Sequence, residues 1–334
     1  MSERVTVCIP VYKRLNFLPE ALRSVAGQDY PHIDLLVSDN GQNGDKIPAL
    51  VKQWYGKPYR FRQNSVTVDC SSHYNQLIQD AGGEYVLIFG DDDELSPTLV
   101  SDLVEVLRRY PQAPVALPRQ EKMDEQGRAL RSSSDRVPEL LSGEDFIRAW
   151  CRYTYEFQTL STVLFRTPEV RKAGGFPIMP NANGDEDILM IRMTVGRSIA
   201  FVNRSCVRKR EHEKSLGLAC DYQELVDASV LFTRILDTDP QIQAYAQRDP
   251  KTWSELRGLL GKMSWETCYS RWSTMYRARM PFLGWARAAF AMPWLPEYYR
   301  AVLQTLWEEA RYRFFTGLKR ALPFLGSTDR ALHK

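Results

Sequence analysis

A short apolar run that ends in three consecutive carboxylates constrains this chain more than any other stretch. Residues Tyr85–Phe89 are aliphatic or aromatic and lie between glycines, a pattern typical of a strand buried on both faces of a sheet. Asp91, Asp92 and Asp93 follow directly, and adjacent carboxylates repel one another. A divalent cation that prefers oxygen ligands offsets this repulsion. The stretch therefore predicts a metal site at the carboxyl end of a strand, and the alternative is a solvated acidic turn before a helix.

Strands and helices alternate along the first 110 residues. The sequence predicts strands at Val5–Val11, Ile33–Ser38, Tyr59–Gln63 and Tyr85–Phe89, and helices at Leu18–Ala26, Ile47–Tyr55, Ser71–Ala81 and Pro97–Tyr110. Either Ser71 or Ser72 is the expected N-cap of the third helix. This order predicts an α/β fold with a mainly parallel central sheet flanked by helices.

The pattern is less regular after residue 110. The sequence predicts a surface loop or hairpin at Lys122–Pro138, strands at Val115–Leu117, Ser161–Arg166 and Ile199–Val202, and a loop at Gly174–Gly184. An acidic cluster, Asp185-Glu186-Asp187, then opens a helix. Beyond about Leu216 the pattern is helical only, so we expect two domains, residues 1–216 and a helical C-terminal region at residues 217–334.

Composition limits the expected cell compartment and the expected binding partners. The six cysteines form no C-x-x-C pair, and no run of about 18 apolar residues occurs, so we expect reduced thiols, no membrane-spanning helix and a cytoplasmic location. Residues 271–334 carry 11 Lys/Arg against 4 Asp/Glu, and six of the eight tryptophans lie after residue 250. This mixture predicts a peripheral contact of the C-terminal region with a membrane surface, and packing or oligomerisation is the alternative. No motif indicates a nucleic-acid partner.

Five segments, taken in order, resemble an inverting glycosyltransferase of family 2. They are VTVCIPVYKR, LPEALRSVAGQDYPHIDLLVSDNG, GGEYVLIFGDDDELSP, then STVLFR with Gly174-Gly175-Phe176 and the acidic cluster, and finally Arg210-Glu211-His212-Glu213-Lys214-Ser215. The resemblance covers roughly residues 4–216. It implies a GT-A fold that binds a nucleotide sugar and a divalent metal, Mn²⁺ or Mg²⁺.

The resemblance implies that the acidic run binds the metal. Asp91, Asp92 and Asp93 are the expected carboxylate ligands, with Asp92 as the principal one, and His212 is expected to close the site. Gly90 stands where the family usually has its first aspartate, so the division of ligand roles among the three stays open.

The resemblance also implies a donor site and a general base. The expected donor-binding residues are Pro10, Tyr12, Arg14, Asp39 and Asp91, around a donor of UDP or dTDP type. Asn40 replaces a frequent aspartate, which leaves the base of the donor open. A carboxylate next to the sugar suits a single in-line displacement. Asp187 is the first choice for this catalytic base, and a second alignment gives Glu186.

The expected activity is therefore transfer of a sugar to a hydroxyl group of a surface glycan, including lipid-linked glycans. Such an acceptor fits polysaccharide biosynthesis at the inner face of a cell membrane. Two alternatives remain at this point. One is a catalytically inactive protein that binds nucleotide sugars or serves as a membrane scaffold, and the other is a nucleotidyltransferase on a similar sheet.

Overall fold

The computed structural model describes residues 3–132, 136–155, 162–212 and 222–276, together with residue 307. The chain divides into two compact units, residues 1–260 and 261–334. The predicted domain boundary near residue 216 lies outside the described residues, and so does nearly all of the basic, aromatic segment 271–334. Among the described helices, none is both long and apolar enough to cross a membrane.

Ten strands and ten helices follow one another along the described chain. The strands are β1 (Val5–Val11), β2 (Ile33–Asp39), β3 (Tyr59–Gln63), β4 (Tyr85–Ile88), β5 (Glu94–Leu95), β6 (Val115–Met123), β7 (Ala129–Ser132), β8 (Leu140–Ser142), β9 (Leu164–Arg166) and β10 (Ser198–Arg210). The helices are α1 (Leu18–Ala26), α2 (Lys46–Trp54), α3 (Cys70–Asp80), α4 (Leu99–Arg109), α5 (Gly143–Cys151), α6 (Thr167–Lys172), α7 (Asp185–Thr194), α8 (Tyr222–Thr238), α9 (Pro240–Arg248) and α10 (Pro250–Tyr276). A 3₁₀ turn, Pro180–Ala182, precedes α7.

All ten strands belong to one mixed sheet. Its order is β3-β2-β1-β4-β9-β6-β10-β5, with β7 paired to β6 and β8 paired to β10. Strands β3, β2, β1 and β4 are parallel, and β9 is antiparallel to both β4 and β6. The parallel pair β6 and β10 follows, with β5 antiparallel to β10. This confirms the expected α/β fold, with parallel pairing from β3 to β4 and mixed pairing in the rest of the sheet.

The central strands are buried because their side chains alternate between two covered faces. Val5, Val7 and Ile9 of β1 join the main core, in which the apolar faces of α1 and α4 also take part. Cys8 points to the other face, where its Sγ lies 3.9 Å from the carbonyl oxygen of Leu77 in α3. Each fully buried aliphatic side chain contributes about 1.5–3 kcal/mol. The period-2 pattern of β1 therefore fixes which residues hold helices on each side.

Two local expectations were wrong, and one of two alternatives was confirmed. Asp69, rather than Ser71 or Ser72, caps α3, since its side chain accepts a hydrogen bond from the Ser72 amide at 2.9 Å. The segment Lys122–Pro138, predicted as a loop or a hairpin, contains a hairpin, because β6 extends to Met123 and pairs with β7. Strand β10 continues through a charged run to Arg210, far beyond the predicted end at Val202.

Candidate functional site

The acidic turn, Asp91-Asp92-Asp93, lies at the carboxyl edge of the sheet, between β1 and β10. The Phe89 amide donates to the carbonyl of Cys8 at 2.9 Å, which continues the β1–β4 ladder to the start of the turn. On the other side of the turn, β5 pairs with Val207 and Arg208 of β10. The carboxylates therefore meet the loop after β1 and the end of β10, which are about 200 residues apart in sequence.

Asp92, Arg14 and His212 meet at this edge. The Arg14 Nη2 donates to Asp92 Oδ2 at 2.6 Å, and the His212 Nε2 lies 2.9 Å from the same oxygen. The Arg14 Nη1 lies 3.1 Å from His212 Nδ1. The three side chains form a closed triangle of contacts, which brings together three of the residues predicted for the donor and metal sites.

The contact with Arg14 defines the tautomer of His212. A guanidinium can only donate, so His212 Nδ1 accepts, and the ring hydrogen lies on Nε2, where it donates to Asp92. The His212 ring also stacks on Phe17, with centroids 5.8 Å apart. Phe17 therefore fixes the plane of a histidine whose two nitrogens are both hydrogen-bonded.

Asp93 has different partners from Asp92. It is 2% exposed, its Oδ2 lies 3.0 Å from Lys209 Nζ, and its Oδ1 accepts from the Arg210 amide at 2.9 Å. Burial raises the pKa of Asp93, and the charge of Lys209 opposes that rise. Asp93 therefore joins the acidic turn to β10 from the inside, away from the Arg14 contact.

Asp91 is partly exposed and lies next to Gly90. Desolvation, with a smaller contribution from the charge of Asp92, raises the pKa of Asp91 to about 8. A Cβ atom on Gly90 would lie 3.0 Å from carboxylate oxygens of both Asp92 and Asp93. The two carboxylates thus pack over this glycine, which explains in physical terms why a larger residue would disturb the turn.

Arg210 clamps the turn through four acceptors. Its Nε donates to the Asp92 carbonyl at 2.9 Å, its Nη2 to Glu94 Oε1 at 3.0 Å, and its Nη1 to the carbonyls of Asp124 and Glu125 at 3.3 and 2.9 Å. The guanidinium also lies 4.6 Å from the centroid of the Phe17 ring. This residue of the Arg-x-His segment therefore has a structural role beside the site.

Asp39 is fully buried, and its carboxylate organises the loop after β2. Its Oδ1 accepts from the Gly41 amide at 2.8 Å and its Oδ2 from the Asn43 amide at 2.6 Å. The Asn43 side chain donates both to Asp39 and to the carbonyl of Tyr12. A Cβ on Gly41 would lie 2.1 Å from that same carbonyl. The predicted donor residues Asp39 and Tyr12 are thus joined through Asn43.

The other predicted donor residues lie along the same edge. Pro10 sits in β1 opposite Ser38, and Tyr12 follows the strand with 48% of its surface exposed. The neighbouring Lys13 ammonium lies 5.1 Å from the centroid of the Tyr12 ring. An exposed aromatic ring at the carboxyl edge of a sheet is suited to stacking on a nucleobase.

The second acidic cluster begins α7. Asp185 is 2% exposed, its Oδ2 accepts from the Ser71 hydroxyl at 2.6 Å, and its Oδ1 accepts from the Glu186 amide at 2.7 Å. Burial, and next the charge of Glu186, raise the pKa of Asp185 to about 8. Asp185 therefore ties α7 to α3, whereas Glu186 and Asp187, the two candidate bases, are partly exposed.

Lys209 connects the two acidic clusters electrostatically. Burial disfavours its charged form, but Asp93, Glu186 and Asp92 together hold the pKa of Lys209 above its ordinary value. The charges of both acidic clusters therefore act on Lys209. Sequence reasoning missed Lys209, Phe17 and Ser71, and the only signal for Lys209 was its place in the charged run before His212.

A cation could be held here by a small number of side chains. In the part of the chain that the structure describes, no group of three or more His, Cys, Asp or Glu side chains is arranged as a metal site. However, Mg²⁺ is often bound by one or two carboxylates together with water and substrate phosphates. Asp92 Oδ2 and His212 Nε2 lie 2.9 Å apart, so a carboxylate and an imidazole, both ligand types for divalent cations, are adjacent at the turn. The donor set therefore fits a cation that is shared with a diphosphate.

Comparison with known proteins identifies the family. Residues 6–167 match the sequence profile described as Glycosyl transferase family 2. Residues 6–167 therefore form a glycosyltransferase family 2 region. A 111-residue segment is 31% identical to the abequosyltransferase RfbV of Salmonella typhimurium and covers 32% of each chain. A 105-residue segment is 30% identical to a Campylobacter jejuni β-1,3-glucosyltransferase named for GalNAc(5)-diNAcBac-PP-undecaprenol, and it covers 30% of this chain and 34% of that relative.

Solved structures of glycosyltransferases share the fold. TarS residues 1–349 of S. aureus, solved with UDP-GlcNAc, superposes with a TM-score of 0.60 at 16% identity and covers 90% of this chain and 81% of that one. The mannosyltransferase PcManGT of Pyrobaculum calidifontis, solved with GDP-Man and Mn²⁺, gives a TM-score of 0.52 at 16% identity, with 94% and 87% coverage. The protein therefore has the expected GT-A fold. The aligned segments span about a third of the length of the two curated relatives.

Proposed function

We propose that the protein is a metal-dependent inverting glycosyltransferase that moves a sugar from a nucleoside diphosphate to a hydroxyl of a surface-glycan acceptor. One observation carries the proposal. Asp92, Arg14 and His212, which come from three distant segments, converge at the carboxyl edge of a GT-A sheet within hydrogen-bond distance of one another. Such an edge is where open α/β sheets bind their ligands.

The loops after β1 and β2 receive the nucleotide. Tyr12 stacks on the base, while Asp39 keeps its own loop closed and positions Tyr12 through Asn43. Related folds are solved with UDP, UDP-GlcNAc and GDP-Man, which supports a nucleotide sugar as donor. We favour a UDP or dTDP donor, and two of the related folds are solved with UDP or UDP-GlcNAc.

Asp91, Asp92 and His212 hold the divalent cation at the donor diphosphate. When bound, Mn²⁺ or Mg²⁺ neutralises the charge that develops on the leaving nucleoside diphosphate. Asp93 keeps the turn in place through Lys209 and the Arg210 amide rather than by direct ligation. This division assigns the partly exposed carboxylates to the cation and the buried one to the fold.

A carboxylate at the start of α7 removes the proton from the acceptor hydroxyl. The acceptor oxygen then attacks the anomeric carbon as the bond to the diphosphate breaks on the opposite face, which inverts the configuration. Asp187 and Glu186 both remain candidates for this base. The charge of Glu186 acts on Lys209, which pairs with Asp93 of the acidic turn, and this supports Glu186.

The acceptor class is supported by the named relatives. One of them is a glucosyltransferase named for an undecaprenol diphosphate glycan, and another is an abequosyltransferase. A lipid-linked surface glycan is consequently the acceptor that we test first. It also agrees with the predicted membrane contact of the basic segment 271–334, and peripheral association with the inner face of the cell membrane stays a prediction.

The donor half of the proposal is tested by screening nucleotide sugars for thermal stabilisation and slow hydrolysis, with and without Mn²⁺. We expect at least one UDP or dTDP sugar to stabilise the protein only when Mn²⁺ is present. Asp92→Asn should remove this metal-dependent stabilisation. Failure of every nucleotide sugar to stabilise or be hydrolysed would refute the enzymatic function and favour a binding or scaffold role.

The base is tested with two neighbouring substitutions, Glu186→Gln and Asp187→Asn. Each keeps the side-chain size and removes the charge. The variant that lacks the base should keep metal-dependent donor binding and lose transfer by about 100-fold or more. The other variant serves as its matched control, and normal transfer by both variants would exclude α7 as the source of the base.

A further inference from the structure

Arg14 occupies the oxygen that a cation needs. Its Nη2 lies 2.6 Å from Asp92 Oδ2, the oxygen that also faces His212. A divalent ion that binds this oxygen would be within a few ångströms of the guanidinium. Like charges at this separation repel each other, and a divalent ion doubles the repulsion of a single charge. Arg14 and the cation therefore exclude each other at Asp92.

Arg14 also blocks the second ligand atom. Because Arg14 Nη1 donates to His212 Nδ1, the hydrogen of the ring is held on Nε2. The Nε2 atom facing Asp92 then has no lone pair for a cation. Once Arg14 leaves, the hydrogen can lie on Nδ1 and Nε2 can become a ligand. Departure of a single side chain thus exposes both Asp92 and His212.

We propose that Arg14 is a positioning residue that exchanges Asp92 for the donor diphosphate, so that metal and nucleotide bind cooperatively. This inference rests on the proposed function. The displaced guanidinium needs an anionic partner, and the diphosphate that shares the cation is the nearest one in the reaction. A guanidinium binds phosphate oxygens with two parallel hydrogen bonds, which suits this second partner. Phe17 lies 5.5 Å from the guanidinium and offers an aromatic face beside which it can turn.

The exchange of Arg14 predicts that metal and nucleotide strengthen each other's binding, and this coupling can be measured. Metal alone has to displace Arg14 into water, and nucleotide alone has to draw it from Asp92, so either ligand binds weakly by itself. When both are present, Arg14 is transferred between anions, and each ligand strengthens the other by the same factor. Removing the guanidinium should therefore tighten binding of the metal alone and weaken the coupling.

The experiment compares wild type, Arg14→Gln and the control Arg60→Gln. Arg60 pairs with Asp34 at 2.6 Å, the same length as the Arg14–Asp92 pair, but it lies outside the proposed site. Mn²⁺ affinity is measured from the electron paramagnetic resonance signal of free Mn²⁺. Affinities for UDP, dTDP and GDP are measured by calorimetry with and without Mn²⁺.

We expect Arg14→Gln to bind Mn²⁺ alone roughly tenfold more tightly than wild type, and its Mn²⁺–nucleotide coupling to fall from roughly tenfold to near one. Arg60→Gln should match wild type. Unchanged Mn²⁺ affinity and unchanged coupling in Arg14→Gln, with nucleotide still bound, would refute the exchange and leave the proposed function intact. Absence of nucleotide binding to wild type would instead refute the proposed function and this inference together.

Discussion

Replacing Asp93 by alanine tests whether this carboxylate stabilises the turn or binds the cation. The substitution removes the contact with Lys209 Nζ at 3.0 Å and the hydrogen bond from the Arg210 amide at 2.9 Å. Removing one partner of a buried ion pair costs about 3–5 kcal/mol. The Lys209 side chain keeps 20% exposure, so it can reach water and lower this cost. We expect the free energy of unfolding to fall by about 3 kcal/mol.

Asp92→Ala is the matched comparison within the same turn. Asp92 and Arg14 have side chains that are 22% and 27% exposed, so their ion pair contributes only about 0–1 kcal/mol to stability. Asp92→Ala also removes the acceptor of the buried His212 Nε2, so we expect stability to fall by about 1–2 kcal/mol and Mn²⁺ binding to be lost. Asp93→Ala should therefore lower stability more than Asp92→Ala, whereas Asp92→Ala should lower Mn²⁺ affinity more.

Both properties are measured on the same samples. Urea unfolding followed by tryptophan fluorescence gives stability, and electron paramagnetic resonance gives Mn²⁺ affinity. Asp93→Asn, which keeps an acceptor for the Arg210 amide, supplies a milder variant in case Asp93→Ala does not fold. The division of roles is wrong if Asp93→Asn retains wild-type stability and loses Mn²⁺, or if Asp92→Ala binds Mn²⁺ normally.

Two further substitutions test the framework of the site. His73 is buried beside Ser38, and desolvation, then the charge of Arg62, lower its pKa from 6.5 to about 4. Folding therefore opposes protonation of His73, and the stability that neutral His73 contributes is lost as the pH falls from 6.5 towards 4. In urea unfolding, the destabilisation caused by His73→Gln should be about 2 kcal/mol smaller at pH 5 than at pH 7.5. A difference that does not depend on pH would contradict this assignment. Arg210→Met leaves Glu94 Oε1 and three carbonyls without this donor, although Glu94 Oε2 keeps its contact with Arg208. We expect a loss of about 3 kcal/mol by the same method, whereas a loss below about 1 kcal/mol would show that the clamp contributes little.

Local sequence patterns predicted the elements of the fold correctly where a strand is buried on both faces of the sheet. Strand β1 matches its prediction at both ends, because an uninterrupted apolar run is needed when neighbouring strands and helices cover both sides. Family resemblance then supplied the order of the site segments. Neither source indicated which of three adjacent aspartates would turn inward, since that depends on contacts with β10, which lies more than 100 residues further along the chain.

The charged run at the end of β10 shows why the rest could not be predicted. Three consecutive basic residues, Arg208, Lys209 and Arg210, are typical of a loop, so the strand was expected to end at Val202. Each of them instead meets a carboxylate of the acidic turn or of β5, with Glu94 accepting from both arginines and Asp93 pairing with Lys209. A strand can carry these charges because their partners arrive from a distant part of the sequence, which a local pattern does not record.

Alternation along this strand assigns its residues to different parts of the site. Successive side chains of a strand point to opposite faces, so Arg208 and Arg210 share Glu94 while Lys209 reaches Asp93 and the field of Glu186. A one-residue slip in the pairing of β10 would exchange these two sets. It would place a lysine at the four-acceptor clamp and an arginine between the acidic clusters. The register of β10 therefore controls both the cation-binding turn and the candidate base, although neither of these groups belongs to the strand.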